Sequence, residues 1–142
     1  MKIVFFLFMS ISLFSAHLDT FANEMNFHRD YKTALIQAKE ENKLLVMVLS
    51  ADYCPWCRKF ENKTLKSKLI KDRLSNEVVT LVVDQKYDVK LFPKKFETKI
   101  TPRIFFINPS NEESLFDEMG YIKKKEFSKL LDVAYIRLKN LK

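Results

Sequence analysis

Hydrophobic and polar positions change period several times along the chain, and each change marks an element. Phe27, Tyr31, Ala34, Leu35 and Ala38 fall at helical spacing, with Lys32, Gln37, Lys39 and Glu40 off that stripe, which predicts an amphipathic helix. Residues 44–49, Leu-Leu-Val-Met-Val-Leu, form the unbroken apolar run of a strand covered on both faces. A polar stretch with Phe60, Leu65, Leu69 and Leu74 at helical spacing follows. Residues 78–83 read as a second buried strand ended by Asp84-Gln85, and residues 89–98 carry a helical pattern around Leu91, Phe92 and Phe96. Residues 103–107 give a third strand, Asn108-Pro109-Ser110-Asn111 a turn, and residues 114–118 a shorter antiparallel strand ended by Gly120. From Lys123 onward, Phe127, Leu130, Leu131, Ala134, Tyr135 and Leu138 lie on one stripe of a last helix.

Strands alternating with helices, then a hairpin and a closing helix, predict an α/β domain: a mixed central sheet with helices on both faces. No internal repeat, low-complexity tract or linker interrupts the pattern, so one domain is expected.

The opening of the chain has a different character. Lys2 precedes an apolar run, Ile3 to Met9, relieved only by Ser10 and Ser12 up to Phe14, which is the shape of a secretory signal peptide. Thr20-Phe21-Ala22 offers small residues at both recognition positions, whereas Phe14-Ser15-Ala16 places a ring at one of them. The expected division is therefore a leader over residues 1–22 and a mature domain over 23–142, periplasmic or secreted from a bacterium. The rival reading is a retained anchor; a span needs about 20 apolar residues, and His17 and Asp19 interrupt this run. No cysteine lies near the cleavage region, so a lipoprotein signal is not indicated.

Charge changes the picture little. The formal net charge of +7 survives loss of Lys2 and Asp19 with the leader. The lysines scatter over predicted helices and read as solvated surface rather than a docking patch. No arginine-rich arm or aromatic-interleaved basic strand points to nucleic acid.

The two cysteines change it a great deal. They are too few for a disulfide scaffold in an exported chain. They stand as Cys54-Pro55-Trp56-Cys57, where the first strand gives way to helix. Pro55 suits the first helical position, which makes Cys54 the N-cap. Unpaired amides and the helix dipole there stabilise a Cys54 thiolate, the attacking species in disulfide exchange. Cys57, three residues on, is close enough to resolve a mixed disulfide. Arg58 and Lys59 add nearby positive charge, screened by solvent, and are assigned a minor role. A structural disulfide closing so small a loop is a poor staple. Structural zinc wants four ligands against two cysteines and the lone His28 of the mature chain, and His28 is given no catalytic role. No metal or organic cofactor is required.

The pattern resembles the thioredoxin-like superfamily, through Ala51-Asp52-Tyr53 before Cys54-Pro55-Trp56-Cys57, the Val82-Val83-Asp84 strand end, and Thr101-Pro102 before the third strand. The resemblance covers nearly the whole mature chain. It implies a thiol-disulfide oxidoreductase, Pro102 in the cis form facing the cysteines, and Thr101 backbone beside Cys54 for pairing with an extended substrate. The segment between motif and second strand is similar to the longer helical insert of secreted relatives. Two departures stand out: Val48 occupies the position of the buried aspartate of cytosolic thioredoxins, and Pro55-Trp56 replaces Gly-Pro. The usual proton acceptor for Cys57 is thus missing, and Glu61, one turn beyond Cys57, or Asp52 is a substitute; for each, an exposed surface carboxylate is the alternative.

Tyr53 and Trp56 are read as a flat rim for partner segments. The middle dipeptide lacks the histidine of strongly oxidising relatives, and Thr101 before Pro102 resembles reducing and isomerising ones, so the expectation leans that way. The partners are then protein thiols or disulfides and a redox protein that recharges the pair. A binding or maturation module for apo-cytochromes or copper proteins on the same fold is the alternative.

Overall fold

The computed structural model describes residues 16–141; the apolar run of the expected leader, residues 2–14, lies outside them. The elements in chain order are α1 (Ala16–Met25), α2 (Tyr31–Glu40), β1 (Leu44–Ser50), α3 (Pro55–Phe60), a π-helical turn (Glu61–Leu65), α4 (Lys68–Glu77), β2 (Val78–Asp84), a 3₁₀ turn (Lys94–Phe96), β3 (Arg103–Asn108), β4 (Glu113–Met119) and α5 (Lys124–Asn140). The strands form one mixed sheet in the order β2-β1-β3-β4. β1 runs parallel to β2 and antiparallel to β3, and β3 and β4 form the hairpin, with a bulge between Phe106 and Ile107.

The continuous apolar run of β1 is explained by its central place. Leu44, Val46 and Val48 face one core with α1, α4 and α5, while Leu45, Met47 and Leu49 face a second core with α2, Phe92 and Phe96. Every β1 residue is buried. α5 closes the first core through Phe127, Leu131, Ala134 and Leu138, and Tyr135 falls outside the stripe. α2 is capped at Asp30, whose carboxylate accepts from the Thr33 N–H at 2.9 Å, so the helix starts four residues later than its apolar pattern.

Two local expectations are corrected. Residues 89–98 form no α-helix: Pro93 has no N–H to donate and adopts an extended backbone, which leaves only the 3₁₀ turn at Lys94–Phe96. Phe92 and Phe96 are nonetheless buried, so the spacing there reports contact with the second core rather than a helix. Between Phe60 and Leu74 the helix is broken at Lys66-Ser67, and the π turn before it adds residues to the winding. The buried stripe therefore passes through Leu65, Ile70 and Leu74, and Leu69 is exposed.

In α1, residues assigned to the leader form a helix that buries Leu18, Phe21 and Ala22 along with Met25 in the first core. Asp19 pairs with Arg29 at 2.8 Å. The expected leader boundary after Ala22 thus falls inside α1. No helix among the described residues is long and apolar enough to cross a membrane.

Candidate active site

β1 ends at Ser50, and its chain turns through residues 51–53 into α3. Cys54 is the N-cap, with an extended backbone, and Pro55 occupies the first turn, where a missing N–H costs no hydrogen bond. The Cys57 N–H donates to Cys54 Sγ at 3.2 Å, and the Arg58 N–H to the Cys54 carbonyl at 3.1 Å. Cys54 and Cys57 are joined as a disulfide, with Cα atoms 5.2 Å apart. The two residues are not equally buried: Cys54 is 9% exposed and Cys57 1%.

The loop before β3 faces Cys54. The Thr101–Pro102 bond is cis, the Thr101 hydroxyl donates to Cys54 Sγ at 3.5 Å, and the Thr101 carbonyl lies 3.6 Å from the same sulfur. This segment is tied down from behind. Arg103 makes an ion pair with Asp117 at 2.6 Å across the hairpin, and the Gly120 N–H donates to the Pro102 carbonyl at 2.8 Å. Gly120 turns there with φ +80°, which favours glycine.

The rim is aromatic. Tyr53 is 99% exposed and Trp56 56%. The Trp56 ring lies 6.3 Å from that of Tyr121, at an interplanar angle of 30°. Lys59 Nζ sits over both, 5.0 Å from the Trp56 centroid and 4.6 Å from the Tyr121 centroid, in cation–π contact. Trp56, Thr101, Gly120 and Tyr121 line a shallow cleft beside the disulfide.

One helical turn beyond Cys57 lies a buried polar cluster. Glu61 is 2% exposed, so it is not a surface carboxylate. Its Oε1 meets Arg58 Nη2 at 2.9 Å and accepts from the Ser50 hydroxyl at 3.3 Å, and its Oε2 lies 2.8 Å from His17 Nε2. Asp52, by contrast, stays half-buried in the turn and makes no hydrogen bond or ion pair among the described residues. Of the two carboxylates named from sequence, the fold embeds only Glu61. Val48 is buried in apolar surroundings, so β1 contributes no acid there.

His28 lies away from the site: its backbone bridges to β2 and its ring meets Gln37 at 2.6 Å. Ser50, Arg58, Lys59 and Tyr121 were missed or underrated from sequence. For Arg58 a signal existed, since an arginine three residues before a glutamate on a helix places the two on one face. For Tyr121 there was none, because its place depends on the hairpin.

A cysteine pair at the head of a helix, one residue less buried than the other, against a cis-proline loop, defines a thiol-disulfide oxidoreductase of thioredoxin architecture. The chain belongs to the thioredoxin-like domain family, whose profile matches residues 31–135. No curated protein matches it. Among solved structures it is similar in fold to a thioredoxin from Thermus thermophilus, with TM-score 0.68, 18% identity, and 78% of this chain and 88% of that one covered. It is likewise similar to the DsbH oxidoreductase, with TM-score 0.61, 18% identity, and coverages of 79% and 83%. The C-terminal domain of Neisseria meningitidis DsbD in its oxidised form gives TM-score 0.62, 16% identity, and coverages of 76% and 98%.

Proposed function

We propose that this protein donates electrons to protein disulfides outside the cytoplasm, as a reductase or isomerase, with Cys54 as nucleophile and Cys57 as resolving thiol. The observation that carries the reading is the unequal burial of the two cysteines, with the less buried one against Thr101. The Cys57 N–H directed at Cys54 Sγ is placed to stabilise a thiolate on the reduced residue. The thiolate attacks one sulfur of the substrate disulfide, forming a mixed disulfide and releasing the other sulfur as thiolate. Cys57 then loses its proton and attacks Cys54 Sγ; the substrate's second thiolate leaves, and the pair has passed on two electrons as its own disulfide forms.

In this scheme Glu61, one turn beyond Cys57, accepts the Cys57 proton. Asp52, with no polar partner to hold it, is the weaker substitute. Tyr53 and Trp56 offer the substrate an apolar platform, and Thr101 and Pro102 offer backbone to an extended segment. A second redox protein restores the dithiol.

Direction is tested by equilibrating the pair against glutathione buffers. The expected potential is below about −200 mV, toward that of thioredoxin; a value near about −120 mV is that of an oxidant and overturns the donor reading.

Export rests on the basic start, the apolar run and the small residues Thr20 and Ala22. Removal after Ala22 takes Leu18 and Phe21 from the first core and His17 from Glu61. The protein recovered from the periplasm of an exporting bacterial host is expected to begin at Asn23. An N-terminus upstream of His17 instead keeps α1 with the domain, and Met1 found in the membrane fraction turns the leader into an anchor.

A further inference from the structure

Arg58 follows the resolving cysteine directly, a position from which a long basic side chain ordinarily extends into water. Here it turns inward. Its side chain is 27% exposed, and the one nitrogen Nη2 donates to Ser50 Oγ at 2.9 Å and to the Ala51 carbonyl at 3.2 Å and forms an ion pair with Glu61 Oε1 at 2.9 Å. Ser50 accepts from Arg58 and donates to the same carboxylate oxygen. The guanidinium thus ties the end of β1 to the helical segment that carries Cys57 and Glu61.

A carboxylate taken out of water needs a charge partner and hydrogen bonds, or it keeps its proton. The side chains that meet the Glu61 carboxylate are Arg58 from α3, Ser50 from β1 and His17 from α1, and Cys57 lies one helical turn before it. Arg58, Ser50 and Glu61 all lie downstream of Ala22, so their contacts do not depend on where the mature chain begins. Only Arg58 among them carries a fixed positive charge.

We infer that Arg58 is a positioning residue for disulfide exchange: it fixes the Glu61 carboxylate against the end of β1, one turn beyond Cys57, and sets the pH range over which Cys57 gives up its proton. This rests on the reading of Glu61 as the acceptor. All three contacts come from one nitrogen at the tip of a weakly hydrated, delocalised cation, which lysine, a strongly hydrated point donor on a flexible stem, does not reproduce.

The test is single-turnover reduction of a peptide disulfide by the reduced protein between pH 5 and 9, with variants first checked for folding by circular dichroism. In Arg58→Met the carboxylate loses its compensation and holds its proton to higher pH. The acidic limb of the rate profile is expected to move up by about one unit, a loss approaching roughly tenfold at pH values on the limb itself and small on the plateau above it. Arg58→Lys, which keeps a cation and folds if Arg58→Met does not, shifts in the same direction by less. In Glu61→Gln the limb is lost, and adding Arg58→Met changes it no further. A wild-type profile in both Arg58 variants, with Glu61→Gln still altered, overturns the inference alone. A wild-type profile in Glu61→Gln overturns the acceptor reading and the inference with it.

Discussion

Cys57→Ser attacks substrate disulfides once and remains joined to them, while Cys54→Ser attacks none. Insulin reduction by either variant is expected to fall at least about 10³-fold, the scale on which loss of a covalent nucleophile or its partner acts. The difference between the two follows from geometry. Cys54 is the less buried of the two and, as the proposed nucleophile, its loss is expected to remove the attack itself. Cys57 is sealed at 1% exposure, so its loss leaves the attack and removes the intramolecular exit. Non-reducing gels separate the outcomes: mixed disulfides accumulate on Cys57→Ser and are absent from Cys54→Ser. Adding Trp56→Ala to the Cys57→Ser trap slows capture several-fold if the exposed ring is the platform for substrate. Turnover by Cys54→Ser at the wild-type rate, or equal trapping on both single variants, removes the assigned roles.

The geometry of the cysteine pair was legible because it depends on adjacency. Cys54, Pro55 and Cys57 lie within four residues, and a buried strand before them with helix after them fixes their relation without tertiary knowledge. The sheet was legible for a similar reason, since β1 and β2 are covered on both faces and announce themselves as apolar runs.

What failed depends on distant contact. Phe92 and Phe96 have helical spacing, yet the second core would collect them in any conformation that brings both rings to α2 and β3, and Pro93 decides against the helix. The π turn has no sequence period of its own, so the switch of the buried position from Leu69 to Ile70 was invisible. The depth of Glu61 was invisible too. It is buried because Arg58, Ser50 and His17 converge on it from three elements, and no local pattern reports such convergence. α1 shows the same limit from the other side. A stretch with small residues at recognition spacing is also a stretch whose Leu18, Phe21, Ala22 and Met25 share one helical face, and both readings come from the same letters.

Between the reactive pair and its carboxylate neighbour stands Phe60, and Phe60→Ala is expected to have the largest effect on stability. The ring is fully buried and meets Phe127 of α5 edge-on, with centroids 5.5 Å apart. Phe127 in turn lies 6.1 Å from Phe106 of β3, which stacks on Phe116 of β4 at 4.5 Å. Phe60 is therefore the point at which the short helix carrying Cys57 and Glu61 is pinned to the sheet and to α5. Truncation at such a site costs about 3–5 kcal/mol, against a total of roughly 5–15 kcal/mol for a domain of this kind. With a urea dependence of about 2 kcal/mol per molar, the unfolding midpoint falls by about 2 M. Phe60→Leu, which keeps most of the volume, costs less than about 1.5 kcal/mol. Should Phe60→Ala unfold within about 1 kcal/mol of wild type, α3 is held by its strand-end contacts at Ser50 and Ala51 rather than by its ring. The exchange chemistry then rests on the Arg58 tie alone.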